Sequence, residues 1–340
     1  MAITPRRALR PAALAFASLG LAATTLTAPV QAAAPSYVAL GDSYSSGTGT
    51  RSYISDGTSC QRSTLAYPSL ISAARGYSLN FRACSGAKIP DVTNTQLSAL
   101  SSSTAYVSLS VGGNDAGFAD VLTECAKPGW MSNCDGRINT AQSFVNNTLP
   151  GQLSTLYTSI RAKAPSAKVV IVGYPRIFNG EDCNALTWFS PAEETRLNAM
   201  ADLLNSKLAA AASAKGFTFA NPTSRFVGHA VCDSAEWING LSNPISESYH
   251  PKAVGHSSGY TPTVSPVLTG SLVKVTAKVR SAALASADRL AATQRQYAEA
   301  DRTIEPKDFR IPDMHSKEAR VAARKAGINL DRWLARQGLR

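Results

Sequence analysis

The chain has 340 residues, 44% hydrophobic and 17% charged, which excludes a largely disordered polymer and allows one large α/β domain or two smaller ones. Its formal net charge of +11 and pI near 9.5 would by themselves suggest a polyanionic partner. The distribution removes that reading, because residues 1–32 carry +3, residues 33–270 carry +1 and residues 271–340 carry +7. A nucleic-acid partner is therefore not expected.

Arg6, Arg7 and Arg10 precede an uncharged, apolar stretch over residues 11–29, and Val30-Gln31-Ala32 offers small residues around a cut after Ala32. That order is the pattern of a secretory signal peptide, so an extracellular protein beginning at Ala33 is expected. No later run is long and apolar enough to read as a membrane span. In an oxidising compartment the six cysteines read as three disulfides. Zinc would favour short Cys-x-x-Cys spacings, and the chain has none. Cys125 and Cys134 are the pair most readily bridged, closing a short loop between them.

From residue 33 to 270, strand-like and helix-like stretches alternate. Short apolar runs at 37–40, 79–83, 106–111, 168–172 and 217–220 each end in a polar or glycine-containing turn. Helical patterns occupy 64–74, 116–125, 140–164 and 191–215. The last opens with Ser190, Pro191, Glu193 and Glu194, which are a capping serine, a proline at the first position and acids in the first turn. This alternation predicts a mostly parallel sheet covered on both faces, with working residues at the carboxyl ends of its strands.

After Gly270 the composition shifts: charged residues are 31 of 238 in the middle segment but 23 of 70 in the tail, which marks a boundary there. One helix is expected over 271–302, a break at Pro306 and Pro312, and another over 314–340. The tail reads either as a flexible or loosely helical appendage with solvated charge, or as an amphipathic segment making transient contact with an anionic lipid surface.

Two serines compete for a nucleophile's role. Ser257 lies in Gly255-His256-Ser257-Ser258-Gly259, which fits the G-x-S-x-G nucleophile elbow. Its context excludes it, because prolines at 262 and 266 follow and the elbow's strand–turn–helix frame is missing. Ser43 sits better, in Gly41-Asp42-Ser43 directly after the first strand. Gly86 follows the second strand, Asn114 the third, in Gly112-Gly113-Asn114-Asp115, and His250 lies late in the domain before Pro251. The Ser43 and Gly86 N–H groups and the Asn114 amide form a candidate oxyanion hole. His250 is the candidate base for Ser43. Asp42 and Asp115 read as turn-tying and helix-capping residues, and His229 and His256 as structural. Tyr44, Trp130 and Trp188 could line an acyl site.

These four blocks, in order, resemble the GDSL, or SGNH, hydrolases, whose four letters stand here as Ser43, Gly86, Asn114 and His250. The resemblance covers about residues 35–269 and is nearest to secreted Streptomyces-type (actinobacterial) lipases, esterases and phospholipases A1. It implies a three-layer α/β/α flavodoxin-like sandwich with a mostly parallel five-stranded sheet. It also implies disulfides Cys60–Cys84, Cys125–Cys134 and Cys183–Cys232. The family commonly places an acid three residues before its histidine, and this chain has Glu247 there. Two orienters of His250 therefore stay open, the Glu247 carboxylate and the Ser248 main-chain carbonyl, the second slightly favoured.

The expected function is a secreted serine esterase or lipase acting on acyl esters of lipids through an acyl-enzyme at Ser43. It would work as a monomer, with no metal or organic cofactor. The alternatives are phospholipase A1 as main activity, a carbohydrate O-deacetylase, and, from a different class, a secreted non-catalytic binding protein.

Overall fold

In the computed structural model, described residues are 1–5, 8 and 33–339; the expected signal peptide and its cleavage site therefore lie mostly outside the described residues. Five parallel strands carry the sheet: β1 Ser36–Gly41, β2 Ser78–Phe81, β3 Tyr106–Ser110, β4 Lys168–Val172 and β5 Thr218–Ala220. They lie in the order β2-β1-β3-β4-β5, with Val38 opposite Val107 and Val107 opposite Val169. After Lys168, β4 is an unbroken buried run of Val, Val, Ile and Val, as a parallel strand covered on both faces requires. Each fully buried aliphatic side chain of this kind contributes about 1.5–3 kcal/mol.

Helices flank the sheet. They are α1 Ser43–Ser46, α2 Tyr67–Arg75, α3 Ile89–Asp91, α4 Phe118–Cys125, α5 Cys134–Asn147, α6 Leu149–Lys163, α7 Pro191–Ala214 and α8 Thr261–Thr269. Helices α2 and α8 pack together against the sheet, and α5, α6 and α7 form a second packed group, completing an α/β/α sandwich. The single helix expected over 140–164 is two, because Pro150 in the first turn of α6 cannot continue α5. Helix α7 has the expected capping serine, and the Ser190 and Glu193 side chains bond each other's backbone N–H as a full capping box. Disulfides join Cys60 to Cys84, Cys125 to Cys134 and Cys183 to Cys232.

Residues 271–339 differ from a loose appendage. They form α9 Ala277–Leu284, α10 Ala287–Arg295, α11 Ala298–Asp301, α12 Lys317–Lys325 and α13 Leu330–Arg336, within the same compact unit as the sheet. Where one helix was expected over 271–302 there are three; at the first break the Ser286 hydroxyl takes the Ala283 carbonyl, competing with the helical ladder. Gly327, at φ +69, separates α12 from α13.

Most of the tail's charged side chains are exposed, but Asp301 turns inward. Asp301, fully buried, takes Arg62 at 2.5 Å and Arg82 at 2.6 and 2.8 Å, while Arg62 also meets Asp56 at 2.6 Å. Arg82 lies 3.9 Å from the centre of the Tyr297 ring. Two buried guanidinium groups thus depend on one tail carboxylate. Asp301→Asn is expected to destabilise the fold by about 3–5 kcal/mol, the scale of a broken buried pair. Urea unfolding measures this, and an unchanged midpoint would contradict the assignment.

Candidate active site

A strand order that runs outward from β1 in both directions leaves a crevice at the carboxyl ends of β1 and β3. Gly41 ends β1 at φ +123, and a Cβ there would stand 2.3 Å from the Ser110 carbonyl oxygen, so only glycine fits. The Gln96 side chain brackets this glycine, accepting from its N–H at 2.7 Å and donating to its carbonyl at 2.9 Å. Asp42 follows as the N-cap of α1, its carboxylate accepting from the Tyr44 N–H, the Ser110 hydroxyl and the Tyr174 hydroxyl. Burial raises its pKa to about 6 against those three donors. Asp42 thus ties down the turn, and Ser43 becomes the first residue of α1.

The Ser43 Oγ lies 2.8 Å from His250 Nε2. On the far side of the ring, Nδ1 lies 2.9 Å from the Ser248 carbonyl oxygen. Tyr249 between them takes φ +62, an unusual conformation for a bulky residue, and this bend folds the carbonyl back onto the imidazole. The bend is held from three sides: the Tyr249 N–H donates to the Asn239 carbonyl, the Tyr44 hydroxyl donates to the Tyr249 carbonyl, and the Asn239 N–H donates to the His250 carbonyl. With Nδ1–H on a carbonyl, Nε2 keeps a lone pair directed at the Ser43 hydroxyl, as a base for that serine would need.

Glu247 does not occupy the orienting position. Its buried carboxylate accepts from the Tyr53 hydroxyl at 2.6 Å and from Arg51 Nε at 3.1 Å, fastening the histidine loop to the loop after α1. Glu247→Gln is accordingly expected to keep most of the activity. A fall in kcat above about 10³-fold, the scale of a triad acid, would contradict this.

Burial lowers the His250 pKa to about 4, against the upward pull of the Ser248 carbonyl. The imidazole is then neutral, and competent as a base, through the neutral range. It protonates only as pH falls through about 4, so kcat/KM should fall along that limb and stay level above it. A limb at 6.5, the ordinary histidine value, would contradict the buried setting.

Gly86 and Asn114 line the same cavity as Ser43 and His250. Among the described residues, neither the Ser43 nor the Gly86 N–H has a hydrogen-bond partner, so both remain available to a ligand. The Asn114 amide donates one hydrogen to the Ala87 carbonyl at 3.1 Å, which orients the group and leaves its second hydrogen. Asp115 does not cap α4, which starts at Phe118; its carboxylate instead accepts from the Ile89 N–H, joining the Gly86 turn to the Asn114 turn. The Cys60–Cys84 disulfide and the Ser85 N–H bond to the Cys60 carbonyl brace the Gly86 turn from behind.

The rest of the cavity is mostly apolar, with Phe118, Leu122, Ile177, Phe178, Leu197 and Met200 among its walls. Tyr44 lines it too, edge-on to Tyr174 with ring centres 5.0 Å apart. Trp130 and Trp188 instead pack against Trp333 of α13. Ser257 lies in a wide helical turn, its hydroxyl donating to the Val254 carbonyl, and is not among the cavity residues. His256 is buried beside Tyr67 and Tyr260, and His229 stacks on Trp237. Cys183, Cys232 and Glu236 come close together, but the two sulfurs are spent in a disulfide. Gln96, Ser110, Tyr174 and Asn239 stand in no motif of the sequence, because their roles lie in contacts between segments far apart along the chain.

Residues 39–257 match the family described as GDSL-like Lipase/Acylhydrolase. The chain is similar to Lipase 1 of Streptomyces coelicolor, 48% identical over 71% of this chain and 90% of that one. It is also similar to two crystal structures. The extracellular lipase of Streptomyces rimosus is 44% identical with a TM-score of 0.66, covering 69% of this chain and all of that one. Phospholipase A1 of Streptomyces albidoflavus is 47% identical with a TM-score of 0.64, covering 68% of this chain and 98% of that one.

Proposed function

Because the chain belongs to the GDSL-like lipase/acylhydrolase family and is a lipase or esterase, an ester hydrolase, we propose that Ser43 is its nucleophile and that lipid acyl esters are its substrates. The observation that carries the assignment is the Ser43 Oγ–His250 Nε2 contact of 2.8 Å, backed by the Ser248 carbonyl. Ser43 Oγ attacks the ester carbonyl while its proton passes to Nε2. The developing oxyanion meets the Ser43 and Gly86 N–H groups and the free Asn114 amide hydrogen. His250 then protonates the leaving alcohol, and an acyl group remains on Ser43. Water attacks that ester with His250 again as base, releasing the acid and restoring the serine.

In this dyad the Ser248 carbonyl fixes the tautomer but supplies no full negative charge. The apolar cavity wall supports an acyl chain rather than an acetyl group, and so favours lipid esters over an O-acetylated carbohydrate. Phospholipase A1 activity is a second reading, favoured by the likeness to such an enzyme from Streptomyces albidoflavus. Export through residues 1–32, a hydrolase domain over 33–270 and transient contact with lipid surfaces complete the proposal, with the enzyme acting as a monomer. A paired assay tests it, using a triacylglycerol, phosphatidylcholine and short p-nitrophenyl esters. Hydrolysis of the long-chain lipids is expected; activity confined to the short p-nitrophenyl esters would overturn it.

A further inference from the structure

Residues 306–309 of the tail lie across the cleft that holds Ser43 and His250. A Cβ placed on Gly86 would stand 2.4 Å from Pro306 Cα, so the tail backbone rests directly on the glycine whose N–H faces the proposed oxyanion. Pro306, Lys307, Asp308 and Phe309 line one cavity with Ser43, Asn114 and His250. Past the cleft the segment is pinned to α4, where Lys307 Nζ meets Asp120 at 2.5 Å and the Arg310 N–H donates to the Thr123 hydroxyl at 3.1 Å. On the histidine side, the Phe309 ring is 4% exposed and lies edge-on to Tyr249, with centres 5.1 Å apart. Upstream, Asp301 and Ile304 are buried against the domain, Ile304 beside the Cys60–Cys84 bridge. The strap is therefore anchored at both ends and touches the oxyanion turn between them. The family match ends at residue 257, so this wall is an addition to the matched domain.

Resting on the hydrolase reading above, we propose that residues 306–309 are a specificity-determining strap that narrows access to Ser43, so that esters whose alcohol portion carries a further acyl chain are hydrolysed less efficiently than compact esters. A compact ester passes beneath it. A substrate carrying a second acyl chain must push the strap from Gly86 and Tyr249, and so loses transition-state stabilisation that the compact ester keeps. Apolar packing of Phe309 and the Lys307–Asp120 pair resist that displacement, the second only weakly since it is solvent-exposed.

The test compares the full-length chain with its Lys307→Ala/Phe309→Ala variant on p-nitrophenyl butyrate and on dioleoylphosphatidylcholine vesicles. The ratio of kcat/KM for the phospholipid to that for the butyrate is expected to rise at least about tenfold in the variant. An unmoved ratio, or an equal rise on both substrates, would overturn the strap as a determinant of specificity. Butyrate hydrolysis by the intact chain reports separately on the hydrolase reading, and its absence would remove both proposals. If the double variant does not fold, Phe309→Leu, which replaces the ring but keeps an apolar contact, takes its place. A smaller rise in the ratio is then expected, and an unmoved ratio again overturns the strap.

Discussion

Replacing Ser43 by alanine is expected to lower kcat on a p-nitrophenyl ester by about 10⁵–10⁶-fold, the scale seen when a catalytic serine is removed. Alanine keeps the α1 backbone and deletes only the hydroxyl that meets His250 Nε2. The fold should be unaffected, because Ser43 Oγ makes no other side-chain hydrogen bond among the described residues. His250→Ala should cost about as much, since serine and base act as one unit, and the double variant should lose little more than either alone. What remains would come from the oxyanion donors and from substrate binding. Steady-state kinetics with an unfolding control checks all three variants. A Ser43→Ala enzyme retaining a tenth of its activity would show that the nucleophile lies elsewhere.

Asn114→Ala carries the next largest effect, an expected loss of about 10²–10³-fold in kcat with KM little changed. The amide is held at the end of β3 by its bond to the Ala87 carbonyl, so its free hydrogen is aimed before substrate arrives. A donor placed in this way strengthens most as charge develops on the carbonyl oxygen, so its removal should be felt in kcat. A rise in KM with kcat intact would instead make Asn114 a ground-state binding residue.

Much of the fold is legible in the sequence because parallel sheets announce themselves locally. Val169 to Val172 is a short β-branched run bounded by turns, and the polar residues that matter directly follow such runs. Ser43, Gly86, Asn114 and His250 can be named because their four short motifs follow one another in the order of the family they resemble; taken singly, a motif such as Gly41-Asp42-Ser43 reads as a strand-ending turn. Glu247 cannot be resolved, because its spacing to His250 suits a triad acid and only the folded loop reveals Tyr53 and Arg51 as its partners. The interior role of the tail is illegible for a related reason. A high charge count predicts solvation, and nothing near Asp301 in sequence signals that Arg62 and Arg82, more than 200 residues earlier, lie buried and in need of a counter-ion. Pro306 likewise reads as a helix breaker, and its contact with Gly86 exists only in three dimensions.

The proposed mechanism depends on Ser43 being the activated serine, and reaction with a serine-directed organophosphate followed by peptide mass spectrometry tests this most directly. One adduct per folded chain is predicted, on the peptide containing Ser43, with ester hydrolysis lost in step and no adduct in the Ser43→Ala protein. Modification of Ser257 instead, or a folded chain that stays unlabelled, would contradict it.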